Sequence, residues 1–230
     1  MKTIGLIGGM SWESTALYYR LLNQSIARKL GGLHSTQLIL FSVDFHDIEF
    51  LQQTSAWDEA GSRLRDAAQA LERAGAQFLV LCTNTMHKVA DAITAGVSIP
   101  LLHIADPTAD AIKQAGVQRV GLLGTRFTMD QEFYRGRLET HGLSVVLPFL
   151  EDRELVNRVI YEELCLGDVR DESRCEYRRI IANMVESGAE GIILGCTEIG
   201  MLVGVNDSPV PIFDTTELHA KAAAEYALTQ

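Results

Sequence analysis

Residues 74–83 read AGAQFLVLCT, and residues 187–196 read SGAEGIILGC. Each begins on a small-residue turn, runs through a short apolar stretch and closes on a hydroxyl or thiol side chain. Outward from this pair, IGLIGG at 4–9 matches VGLLGT at 120–125, and IPLL at 99–102 matches VPIF at 210–213. The offsets are 116, 113 and 111 residues, with the blocks in the same order. One short apolar match arises readily by chance. Three in order mark an internal repeat of two similar halves.

Each half alternates apolar runs with helical periodicity. In the first, residues 3–7, 38–43, 78–81 and 101–103 read as strands, and 14–29 and 55–74 as helices, the latter closed by Gly75. In the second, strands are expected at 119–123, 144–147, 191–194 and 211–213, and helices at 130–141, 152–165 and 173–186. A last helix over about 216–228 follows. Continuous apolar strands alternating with helices indicate parallel sheets covered on both faces. The expected class is therefore α/β, with two similar domains of parallel sheet flanked by helices. The expected division is 1–104 and 105–214, with the helix at 215–230 packing back on the first half. In such folds ligands bind beyond the carboxyl ends of the strands.

Composition excludes several alternatives. Of 230 residues, 47% are hydrophobic and 22% charged, too apolar for a disordered chain. Thirty Asp and Glu outweigh twenty Lys and Arg, and there are no basic runs, which argues against nucleic acid as a partner. The opening MKTIGLIGGM reads as a buried strand and a glycine turn, not an export signal. No window approaches the roughly 20 apolar residues of a membrane span. The four cysteines, Cys82, Cys165, Cys175 and Cys196, form no Cys-x-x-Cys pair, so a structural zinc site is not expected. The expected location is the cytoplasm, with free thiols.

The 113-residue offset places Thr83 opposite Cys196, Asn84 opposite Thr197 and Thr85 opposite Glu198. Two proton-carrying groups at equivalent strand ends suit inversion of one carbon: one removes a proton, the other returns it to the far face. The turn at Gly8, Gly9, Met10 and Ser11 either presents backbone N–H groups to a carboxylate or is a plain strand-to-helix turn. Gly124 and Thr125 hold the matching place in the second half. His87 is either a helix-start residue or a group supporting Thr83.

IGLIGGMSWEST at 4–15, CTNTMH at 82–87, LLGTRFTM at 122–129 and GCTEIG at 195–200 resemble the cofactor-independent aspartate/glutamate racemases over essentially the whole chain. The resemblance is nearest to the broad-specificity or L-aspartate/glutamate-specific amino acid racemases. It implies two α/β domains related by a pseudo-twofold with the active site in the cleft between them. It also implies an amino acid substrate, no pyridoxal phosphate, no metal and a homodimer. Most of the family uses two cysteines, the first in a Cys-Asn-Thr segment. Here Thr83 takes that position and Cys82 lies one residue earlier, on the other side of an extended chain. A shifted loop would instead make Cys82 the second acid/base. By the resemblance Cys196 is the base toward the L-isomer, its thiolate favoured by a turn that opens a helix. Thr83 is then the proton donor on the other face. Met10, Ser11, Gln52, Asn84, Thr85, Thr125, Thr197 and Glu198 are the expected substrate-binding residues. The aspartate racemases carry an Asp-Arg pair after the second strand. Here that stretch reads Phe45-His46-Asp47-Ile48 without the arginine, and Arg126 is one substitute for the missing cation.

Two rival functions remain at this stage. A single-cysteine decarboxylase of the same superfamily would protonate an enolate with Cys196. A non-catalytic amino-acid binding protein would keep its ligand after Cys196→Ala.

Overall fold

The structure is a computed structural model that describes residues 1–229. The described chain forms two compact units. The first holds residues 1–103 and returns at His219; the second holds Ile104–Leu218.

In the first unit β1 (Ile4–Gly8) leads into α1 (Trp12–Leu30), followed by β2 (Leu38–Ser42), α2 (Phe45–Gln53), α3 (Trp57–Arg73) and β3 (Phe78–Leu81). A 3-10 turn (Thr85–Val89), α4 (Ala90–Thr94) and β4 (Leu101–Leu102) complete it. The sheet is parallel, in the order β2-β1-β3-β4. The second unit repeats the plan. It runs through α5 (Ala105–Gln114), β5 (Arg119–Gly124), α6 (Arg126–Asp130), α7 (Glu132–Thr140), β6 (Ser144–Val146), α8 (Leu150–Glu162), α9 (Asp171–Glu186), β7 (Gly191–Gly195), α10 (Ile199–Leu202) and β8 (Ile212–Asp214). Its sheet is parallel in the order β6-β5-β7-β8. The final helix α11 (Thr215–Ala227) starts in this unit, and from His219 its residues belong to the first. The expected α/β class, with two similar parallel sheets, is what the chain forms.

The period-two pleat sorts the first sheet's side chains onto two faces. Phe78, Val80 and Cys82 pack with Ile4 and Leu6 of β1, with Tyr18, Leu22 and Ile26 of α1, and with Ala220, Ala223, Ala224 and Ala227 of α11. Leu79 and Leu81 face the other way, against Ile48, Leu51, Leu64, Leu71 and Met86. The second unit has one continuous core around Leu122, Leu123, Ile192, Ile193, Tyr177 and Tyr134. Full burial of each such Leu or Ile stabilises the fold by about 1.5–3 kcal/mol relative to exposure.

Three helical stretches differ from the sequence expectation. Helix α2 is too short to show a periodic run; the Asp44 side chain caps it by accepting from His46 N. Helix α5 carries Pro107 in its first turn, where a missing N–H breaks no helical bond. The single helix expected at 130–141 is two, α6 and α7, because Gln131 adopts extended backbone, φ −102° and ψ 150°. Among the described residues no helix is long and apolar enough to cross a membrane.

Candidate active site

The polar residues singled out by the sequence collect where the strands of each sheet end. In the first unit the turn after β1 needs glycine at position 9. Gly9 has φ +94°, and a Cβ there would lie 2.2 Å from the Val43 carbonyl oxygen. Its N–H donates to Thr15 Oγ1 at 2.9 Å, so α1's own first turn already holds that donor. Met10 packs into the core, and the Ser11 hydroxyl caps α1 by accepting from Ser14 N. Gln52 is buried on α2, with its Nε2 3.0 Å from Met86 Sδ.

Beyond β3 the chain turns sharply, Thr83 N donating to the Leu81 carbonyl at 2.9 Å. Thr83, Asn84 and Thr85 follow in sequence and are all buried. Cys82 is fully enclosed against α1 and α11, and burial pushes its thiol well above the ordinary range. It is a core residue of the opposite face from Leu81. The Thr83 hydroxyl has no hydrogen-bond partner among the described residues. Its carbonyl accepts from His87 Nδ1 at 2.7 Å.

Strand pairing measures the repeat directly. Leu81 is the register partner of Ile7, and Leu194 that of Leu123, which reproduces the offsets of 113 and 116. One step further Cys82 corresponds to Gly195, and two steps further Thr83 corresponds to Cys196. At that corresponding point β5 and β7 run close: a Cβ on Gly124 would lie 2.9 Å from the Gly195 carbonyl oxygen.

In the second unit Thr125 caps α6, its Oγ1 accepting from Thr128 N at 3.3 Å. Cys196, Thr197 and Glu198 follow β7 and are buried together. Glu198 Oε2 accepts from Cys196 Sγ at 2.9 Å and from Thr197 Oγ1 at 2.8 Å. Burial first, then the Glu198 charge, pushes the Cys196 thiol well above its usual value. Both effects favour a thiol that donates to Glu198. Removal from water and a nearby anion therefore act against the thiolate expected from a turn that opens a helix. Glu198 is thus a partner of the thiol, a role its spacing from Cys196 did not reveal.

The candidate cation Arg126 is already engaged. Arg126 pairs with Asp130 at 2.6 Å and with Glu154 at 3.5 Å. Asp47, without a neighbouring arginine in sequence, pairs with Arg63 of α3 at 3.0 Å. Sequence reasoning missed Asp214 at the end of β8, whose carboxyl is raised to about 6 by burial. The Asp-Thr-Thr-Glu run at 214–217 was a signal for it, an N-cap with an acid three residues on. It also missed the grouping of His87, His103 and His219 in the first unit, which no local spacing could have shown. Among the described residues no cluster of His, Cys, Asp and Glu has the arrangement to hold a metal.

Residues 7–223 match the family described as Asp/Glu/hydantoin racemase. A crystal structure from Yersinia pestis, provisionally described as an Asp/Glu racemase, is 59% identical with full coverage of both chains and a TM-score of 0.93. An aspartate racemase homologue from Pyrococcus horikoshii is 39% identical, again over all of both chains, with a TM-score of 0.84. The broad specificity amino-acid racemase RacX of Bacillus subtilis is 26% identical over 171 residues, 72% of this chain and 71% of its own.

Proposed function

The chain belongs to the Asp/Glu/hydantoin racemase family, and from that premise we propose that it is an amino acid racemase working without a cofactor, with Cys196 and Thr83 as its acid/base pair. The substrates proposed are L-aspartate, L-glutamate or a broader set of amino acids. The observation that carries the reading is the buried hydrogen bond from Cys196 Sγ to Glu198 Oε2, 2.9 Å, at the strand end that corresponds to Thr83.

In the proposed reaction the Cys196 proton passes to Glu198, leaving a thiolate beside a neutral carboxyl. The thiolate takes the α-proton of the L-isomer, and the electron pair stays on Cα. Thr83 Oγ–H donates to the opposite face, giving the D-isomer, and the alkoxide left on Thr83 recovers a proton from water. The thiol is then at rest, and Glu198 gives up to solvent the proton it took, replacing the one that water supplied to Thr83. Thr197, Asn84, Thr85, Ser11, Met10, Thr125 and Gln52 are proposed to hold the substrate's polar groups, and their donors stabilise the charge on the carbanion.

The two acid/base groups differ in strength. A threonine hydroxyl is a much weaker acid than a thiol, whose ordinary pKa is about 8.5. It can donate to a carbanion but holds no useful alkoxide population to attack the D-isomer. Because the enantiomers have equal free energy in water, kcat/KM must be equal in the two directions of racemisation. The asymmetry therefore shows as exchange without inversion. Incubation of a panel of L-amino acids in heavy water should give faster loss of the α-proton than of optical activity. Thr83→Cys should raise turnover of the D-isomer. Equal exchange and inversion rates from the start, with no gain from Thr83→Cys, would reject the assignment of roles. No exchange with any amino acid would reject the racemase reading.

A further inference from the structure

We propose that His87 is a positioning residue for the Thr83 hydroxyl, its ring backed by the buried Tyr18 and His219 and the half-buried His103. This rests on the racemase reading above and concerns how its weaker acid is aimed.

A carbonyl oxygen only accepts, so the 2.7 Å contact between His87 Nδ1 and the Thr83 carbonyl puts the proton on Nδ1. That bond spans the turn that carries Thr83 away from β3. It sets the direction of the Thr83 peptide and, through the Cα, of the hydroxyl. The His87 ring is buried and packs edge-on against His103, with centroids 4.4 Å apart, and against His219, 6.0 Å apart. His219 is itself locked. Its Nε2 lies 2.9 Å from the Leu102 carbonyl and so carries the proton, and its Nδ1 then accepts the Tyr18 hydroxyl at 2.8 Å. Tyr18 and His219 are both fully enclosed. One proton on His87 Nδ1 and one on His219 Nε2 match the hydrogen bonds to Thr83, Leu102 and Tyr18. The use of the assembly is geometric: a rigid backing that holds one N–H on one carbonyl.

The chemistry separates this role from a merely structural one. Proton abstraction from the L-isomer by Cys196 does not need Thr83, whereas inversion does. Misplacing a reacting group by about 1 Å costs on the order of 100-fold. His87→Ala should therefore slow inversion roughly 10- to 100-fold while leaving L-isomer exchange in heavy water within about twofold of wild type. An asparagine at 87 offers an amide N–H near the Nδ1 position, and a glutamine places it near Nε2 instead. His87→Asn should accordingly recover much of the inversion rate and His87→Gln should not. Should His87→Ala lose its cooperative melting transition, the asparagine-against-glutamine comparison carries the test. Parallel loss of exchange and inversion, or equal behaviour of His87→Asn and His87→Gln, overturns the assignment while leaving the racemase reading intact. A wild-type protein that exchanges no α-proton overturns both.

Discussion

A thiol sealed beside a carboxylate behaves differently from a thiol at a helix start. Burial and the Glu198 charge raise the Cys196 thiol above its ordinary value, so the pair as a whole gives up a proton to solvent only at higher pH than an exposed cysteine would. Because passing the proton to Glu198 leaves the proton count of the pair unchanged, the rate of L-isomer exchange should be flat near neutral pH and climb only where the pair itself loses a proton. Glu198→Gln removes the anion that holds the thiol up and also removes the acceptor of its proton. The climb should begin at lower pH, and the maximal rate should fall by about 10²–10⁴, the usual contribution of one positioned acid or base. If Glu198 instead binds only the substrate ammonium, the variant raises KM and leaves the pH profile of kcat unmoved. At this scale the sequence was legible wherever the backbone register decides the outcome. The repeat offset separates Thr83 from Cys82, and the pleat places Cys82 in the core facing α1 and α11. It was not legible for Glu198. The side chains of Cys196 and Glu198 meet through the turn geometry after β7, which residue spacing does not specify.

Helix α11 shows how an element's start can carry a titrating group. Asp214 Oδ1 accepts from Thr216 N at 2.8 Å and from Glu217 N at 3.2 Å, and so caps the helix. Its Oδ2 lies against the backbone of Gly200, where an added Cβ would be 2.3 Å away. Burial raises the carboxyl from 3.8 to about 6 in spite of the two donors. A carboxyl with a raised folded pKa keeps its proton in the native state between pH 4 and 6 while the unfolded chain loses it. Its contribution to stability is therefore complete below about pH 4 and is lost as pH rises through 6. Asp214→Asn keeps an oxygen to cap α11 and removes the charge. It should stabilise the protein by roughly 1–2 kcal/mol at pH 7.5 and by nothing measurable at pH 4. Urea unfolding at the two pH values tests this, and an equal difference at both would show that the charge is not the cause. Elements of this kind were partly readable. Long amphipathic helices such as α3 and α9 follow from their periodicity, whereas α2 is too short for a pattern and α5 is disguised by its proline.

For the whole molecule, the paired blocks at 4–9 and 120–125, 74–83 and 187–196, and 99–102 and 210–213 made the two parallel sheets legible, since each block is a strand with the turn beside it. The two units are not equally self-contained along the chain. The second is continuous in sequence from Ile104 to Leu218, whereas the first closes only with the chain's return at His219. Ala220, Ala223, Ala224 and Ala227 lie fully buried against Phe78, Val80, Tyr18, Leu22 and Ile26. The Lys2 N–H donates to the Ala227 carbonyl at 2.7 Å, and Lys29 pairs with Glu225 at 3.0 Å. The pair is exposed and contributes little, so the apolar face carries the attachment. A chain ending at Leu218 would keep α1 on that face of the first sheet but lose α11 beside it, opening Phe78 and Tyr18 to water. It would also remove the His219 contacts to Tyr18 and Leu102. The expected result is selective. Amide protons of β1 and β3 should lose most of their protection from hydrogen exchange, while those of β5 and β7, whose core draws on residues up to Phe213, should stay protected. Protection of β1 and β3 at the level of the full chain would show that the returning helix is a surface addition and not part of the first unit's core.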